Sequence, residues 1–83
     1  FLSAAPNPAD DFVTIRLDAK AIDLYGLTIT TIEGAQVARK TLDNFCAASC
    51  ELQIDLSNYS PGLYFVQLHT SQGKGLIKLS IVK

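Results

Sequence analysis

The chain has 83 residues, a formal charge of −1, nearly half apolar side chains, and neither Met nor Trp. That length allows one domain, and a domain this small buries only about 60% of the surface its unfolded chain exposes. The near-neutral balance excludes the basic face that nucleic acid requires and a polybasic membrane patch, and no apolar run approaches the roughly 20 residues that span a bilayer.

Taken in chain order, Leu2 to Ala5 is a short extended piece able to add a strand to a sheet. In Pro6-Asn7-Pro8 two prolines fix φ near roughly −65° and remove two N–H donors, so the segment cannot be a central strand and reads as a stiff lead-in. Phe12 to Leu17 alternates, with Val13, Ile15 and Leu17 on one face. Asp18 to Tyr25 shows no clear period and reads as a crossover loop. Leu27 to Ile32 is rich in β-branched residues, which fit a pleated surface. Glu33-Gly34-Ala35 reads as a hairpin turn. Gln36 to Leu42 mixes polar and charged residues as an edge strand does, with Arg39 and Lys40 discouraging edge-to-edge pairing.

Asp43 to Ser49 reads as a loop. Glu51 to Leu56 alternates again. The polar turn Ser57 to Pro61 is followed directly by the strand Gly62 to Thr70, in which Tyr64, Val66 and Leu68 share a face. Ser71 to Lys74 is a turn, and Gly75 to Lys83 is the last strand, with Ile77, Leu79 and Ile81 inward and Lys78 and Ser80 outward. Six or seven short antiparallel strands with no long amphipathic helix predict an all-β, immunoglobulin-like β-sandwich. The chain lacks an initiating Met and opens without a charged n-region and apolar h-region. It therefore reads as one sandwich domain, residues 1–83, from a longer secreted protein.

Residues that carry chemistry are few. A nucleophile needs a base beside it, and His69, the only histidine, lies on the strand face opposite Tyr64, Val66 and Leu68, where a solvated role is expected. Asp10, Asp11, Asp43 and Asp55 are not placed as a pair across a cleft by any motif, and Asp55 is expected to cap a turn. Alternating Asp or Asn of a calcium loop are absent. Gly73-Lys74-Gly75 falls in a hairpin rather than ahead of a helix, so it is not a phosphate cradle. No metal, cofactor or catalytic residue is expected. Leu63 and Phe65 form either an exposed apolar patch for a partner or a covered one. Tyr25, Phe45 and Tyr59 are candidates for an aromatic sugar platform, with scattered packing as the alternative.

Cys46 and Cys50 stand in a C-x3-C spacing. Four zinc ligands are not available, and the C-x-x-C of redox motifs is not met. Either a small disulfide pinches Ala47 to Ser49 or the residues are ordinary thiols. The i to i+4 spacing is compatible with the Cα separation of about 4.4–6.8 Å that a bridge needs.

One ordered set of residues resembles a known family. Pro6-Asn7-Pro8 precedes a strand; Leu27-x-Ile29, Gly34 and Val37 follow. Ile54-Asp55-Leu56-Ser57 leads to Gly62-Leu63-Tyr64-Phe65-Val66, and Lys78-Leu79-Ser80-Ile81-Val82-Lys83 ends the chain. Together, from Pro6 to Lys83, these resemble the C-terminal sorting domain (type A) of the type IX, or Por, secretion system. The Asp18 to Tyr25 stretch and the cysteine-bearing Asp43 to Cys50 segment depart from that pattern.

The resemblance implies a non-catalytic export signal on an immunoglobulin-like sandwich. Its bearer reaches the periplasm by a separate N-terminal signal. An outer-membrane translocon recognises the domain, and a sortase-like peptidase then removes it near or before Phe1. The upstream cargo is left at the cell surface or secreted. It assigns recognition to Gly62, Tyr64, Lys78, Ser80, Val82 and Lys83. A receptor is expected to read the outward Lys78, Ser80 and Val82 with Lys83, or to pair with a free edge of the last strand. Weak self-association is left open. The competing reading is a carbohydrate- or protein-binding accessory module of a secreted enzyme or adhesin; a small enzyme ranks third, for want of a base and a cleft.

Overall fold

A computed structural model describes residues 2–83, so the expected cut near Phe1 lies outside the described residues. These form strands β1 (Leu2–Ala5), β2 (Phe12–Asp18), β3 (Ile22–Thr31), β4 (Gln36–Cys46), β5 (Ser49–Asp55), β6 (Gly62–Thr70) and β7 (Gly73–Ile81). One sheet has the order β1-β2-β5 and the other β4-β3-β6-β7, and every neighbouring pair is antiparallel. This is the expected all-β sandwich of immunoglobulin-like strand order, with the fourth strand beside the third. The short Leu2–Ala5 piece is the seventh strand.

Alternation decides the core. Val13, Ile15 and Leu17 of β2 face Tyr64, Val66 and Leu68 of β6, together with Leu79 and Ile81 of β7, and all are buried. Thr31 and Ala35 close the β3–β4 hairpin by a backbone bond of 2.9 Å, with Gly34 at φ +96°. An L side chain would be strained there.

Two expectations are corrected. The expected crossover loop over Asp18 to Tyr25 shrinks to residues 19–21: Asp18 ends β2, β3 begins at Ile22, and Ile22 and Leu24 are buried. The period was hidden because the register shifts between Leu24 and Gly26. Leu24 and Leu27 are both buried although three positions apart, the mark of a bulge. Likewise Asp43 to Ser49 is not a loop. β4 runs to the buried Cys46 and β5 starts at Ser49, leaving only Ala47 and Ala48 between them. As an edge strand, β4 exposes Asp43, Asn44 and Phe45, and so has the composition of a loop.

The β2–β3 and β4–β5 connections cross between the sheets side by side. Ala19 N–H donates to the Ala48 carbonyl at 2.9 Å and Ala21 N–H to the Ala47 carbonyl at 3.0 Å. Ala21 takes φ +51° where the ribbon bends, a corner of the kind that lets strands change sheets. Opposite this flank, β1 and the segment after it lie against β7.

Candidate functional site

The site is built on β6 and β7. Gly62 opens β6 at φ +152°. A Cβ there would lie 3.9 Å from the Tyr64 ring, an ordinary contact, so backbone conformation rather than space requires glycine. Two residues on, Tyr64 points inward and is 7% exposed. Its hydroxyl, which would be costly to bury unpaired, donates to the Ser60 carbonyl at 2.7 Å. The side chain thus ties the strand to the turn that feeds it, as the tyrosine corner of immunoglobulin-type sandwiches does. Tyr59 meets Tyr64 edge-on at 5.8 Å between ring centroids. Burial, then the neighbouring Tyr64, raises the Tyr59 phenol above its ordinary pKa.

Across the ladder, Leu63 pairs with Ser80, Phe65 with Lys78 and Gln67 with Leu76. These side chains share the outer face of the sheet. Lys78 is exposed, Ser80 half-buried, and Leu63, Leu76 and Val82 are 39%, 62% and 55% exposed. The patch is therefore open, which resolves the alternatives for Leu63; Phe65 is half-buried within it. Neither β6 nor β7 contributes a carboxylate, and β7 adds Lys74 and Lys78. The face is apolar with a positive accent.

The outer edge of β7 is not free along its C-terminal half, contrary to the strand-addition expectation. Ser80 N–H donates to Asn7 Oδ1 at 3.1 Å, and Asn7 Nδ2 donates to the Lys78 carbonyl at 3.1 Å. Ala9 N–H donates to the Ser80 carbonyl and Val82 N–H to the Ala9 carbonyl, both at 2.8 Å. Pro6-Asn7-Pro8 is thus more than a lead-in: it sets an amide against the terminal strand and is followed by the buried Ala9. The peptide bonds before Pro6 and Pro8 are cis. Sequence reasoning missed Asn7 and Ala9. The available signal was an Asn held between two residues that cannot donate, which leaves its side-chain amide to do the bonding.

Lys83 also departs from the outward role expected of it. Its Nζ donates to the carbonyls of Leu56 and Ser57 at 2.8 and 3.1 Å. In the same turn, the Asp55 carboxylate accepts from Ser57 N–H at 2.9 Å, the capping role read from sequence. Those bonds from Ser57 chiefly, with Lys83 adding a little, hold the Asp55 carboxyl below its usual pKa. The last residue therefore pins the β5–β6 turn to the end of β7.

The remaining candidates do not converge. His69 is half-buried, with Nε2 3.1 Å from Thr28 Oγ1 on the neighbouring strand. Tyr59 packs on Tyr64, whereas Phe45 pairs with Asp23 at the far end of β3, so no aromatic platform joins Tyr25, Phe45 and Tyr59. Among the described residues no three His, Cys, Asp or Glu side chains gather as metal ligands. Cys46 and Cys50 are unbonded thiols. Both turn toward Leu17: Cys46 Sγ approaches its carbonyl at 3.9 Å, and Cys50 is its ladder partner. Burial first, then the adjacent Cys46 thiol and the Asp18 charge, push the Cys50 thiol up to about 11.

A search of curated proteins finds no match. The sequence model of the family described as the secretion system C-terminal sorting domain matches residues 3–83, nearly the whole chain. The chain belongs to that family: it is a C-terminal sorting signal that engages the type IX secretion machinery and directs its bearer to the outer membrane, the cell surface or the medium.

Proposed function

We propose that the outer-membrane translocon reads this domain by the face of β7, not by its edge. The observation that carries this is the contrast along the strand. The backbone groups at Lys78, Ser80 and Val82 are engaged by Asn7 and Ala9, while the side chains of Lys78 and Val82 stand exposed beside Leu63. Lys78, Ser80 and Val82 contact the receptor. Gly62, Tyr64 and Lys83 position the strand: the first two fix how β6 begins, and Lys83 fixes where β7 ends. The domain itself is non-catalytic. Cargo preceding it crosses the periplasm, and after transit a sortase-like peptidase cuts ahead of the fold and leaves the cargo at the surface or released.

The test fuses residues 1–83 behind a periplasmic reporter in a host that has the secretion system. Deleting residues 78–83 abolishes export, and so does the face variant Lys78→Glu/Val82→Asp, which leaves the inward side chains intact. Asn7→Ala, provided it remains folded, still exports. Export that survives the face variant and rises in folded Asn7→Ala, where the Ser80 amide and the Lys78 carbonyl are released, reverses the assignment in favour of edge recognition. Export that survives the deletion overturns the role of the terminal strand altogether.

A further inference from the structure

The two flanks of the sandwich differ. One is closed, with Asn7 and Ala9 bonded along β7. On the other, β4 and β5 are both outermost strands of their sheets. Between them lies a groove of about 480 Å³, floored by Leu27, Ile29, Ala38, Leu42, Leu52 and Ile54. Four of these six are only partly buried, although their side chains point between the sheets. The lips carry opposite charge. Arg39 and Lys40 line the β4 side; Glu51 and Asp55 line the β5 side.

From this we infer that the groove is a self-complementary docking surface for a second copy of this chain. A two-fold axis parallel to the strands sets the two mouths face to face. β4 of each copy then lies beside β5 of the other, antiparallel, and the basic lip meets the acidic lip at both seams. Each three-stranded sheet continues into the partner's four-stranded sheet, so the outermost strands β4 and β5 gain neighbours. The four partly buried residues of each groove, Ala38, Leu42, Leu52 and Ile54, leave water together. The alternative two-fold, with like strands paired, sets Glu51 and Asp55 of one copy against the same acids of the other with no base on β5, and like charges directly opposite destabilise a strand pair. The isologous pairing closes on itself, so the assembly stops at two. This inference is independent of how the translocon reads β7, because it uses the other flank.

The experiment is sedimentation of the 83-residue chain over a concentration series, at low and high salt. A dimer at low salt that weakens as salt screens the lips is expected. Arg39→Glu/Lys40→Glu and, separately, Glu51→Lys/Gln53→Lys each weaken it by at least about tenfold, as charge juxtaposition at an interface does. Asp55 is left in place because it caps the turn. Circular dichroism verifies that both variants are folded; each change is at an exposed position. Mixing the two variants restores the dimer, because reversed basic lip meets reversed acidic lip and the native lips meet at the second seam. A monomer at every concentration, a dimer unmoved by either variant, larger oligomers, or a mixture that stays monomeric each overturns the inference. If a variant unfolds, Leu52→Lys in the groove floor replaces it, and a dimer that persists in that folded variant has the same meaning.

Discussion

Asn7 is hydrogen-bonded to Ser80 across 73 positions of sequence, and through the same carboxamide to Lys78. One side chain therefore does for the edge of β7 what a neighbouring strand would do. Asn7→Ala removes both bonds at an exposed site, at a cost of about 1 kcal/mol. Urea unfolding reads that loss as a lower midpoint. Hydrogen exchange at the Ser80 amide speeds up, while exchange at Leu79, paired with Tyr64 inside the sheet, tracks only the global change.

Tyr64 separates two contributions. Tyr64→Phe keeps the ring and loses the 2.7 Å bond to the Ser60 carbonyl, costing about 1 kcal/mol. Tyr64→Ala also empties a buried ring site and costs roughly 3–5 kcal/mol. Thermal or urea denaturation of the two variants checks the gap; similar losses would mean the hydroxyl, not packing, dominates.

Gly62→Ala tests conformation alone. At φ +152° an L side chain is strained although the space is open, and roughly 1–2 kcal/mol is expected. A melting temperature equal to that of the parent would show that β6 can begin with another backbone geometry.

The β5–β6 turn has a pH signature with a definite sign. Because the Asp55 pKa is lowered on folding, its contribution is present above the ordinary carboxylate pKa and is lost as pH falls through the lowered value. Asp55→Asn flattens the acid limb of the stability curve. Lys83→Met removes the two bonds to Leu56 and Ser57, costs about 1 kcal/mol and does so equally at neutral and mildly acidic pH. Denaturant titrations between pH 2 and 7, a range of about the carboxylate values, measure both.

Cys46 and Cys50 bridge under an oxidising disulfide. Two thiols give up two electrons and two protons to glutathione disulfide, which leaves as two glutathione molecules. Intact mass falls by two hydrogens, and Cys50→Ser abolishes the change; unaltered mass after prolonged oxidation counts against the bridge. In the reduced protein the Cys50 thiol, raised to about 11, is alkylated slowly near neutrality. Its rate climbs until pH passes that value, since the thiolate is the nucleophile. Reduced protein also loses stability as pH rises from the ordinary thiol range toward about 11. Over that window the unfolded chain releases a proton that the folded chain keeps.

Alternation made most of the fold legible. Val13-x-Ile15-x-Leu17 and Tyr64-x-Val66-x-Leu68 announced their strands and their inward faces, and Gly34 marked the hairpin. What stayed hidden obeys a different rule. The bulge at Tyr25-Gly26 changes the phase of β3, so a strand looked aperiodic, and the polar outer positions of edge strand β4 imitated a loop. At the candidate site, Tyr64's need for a hydroxyl partner and Asp55's turn cap followed from local chemistry. Asn7 and Lys83 did not, because each acts through contacts with residues far away in the chain.

The corner where Ala19 and Ala21 meet Ala48 and Ala47 has a topological meaning. β2 with β3, and β4 with β5, form one long hairpin folded double, whose tip is the turn at Gly34. Its limbs pair in one sheet from Phe12 with Asp55 to Asp18 with Ser49, and resume in the other at Ile22 with Cys46. Alignment set in one layer is therefore handed through the bend to the other. A one-residue slip anywhere along the ribbon would turn apolar side chains outward in both layers, so each half of the interior checks the threading of the other.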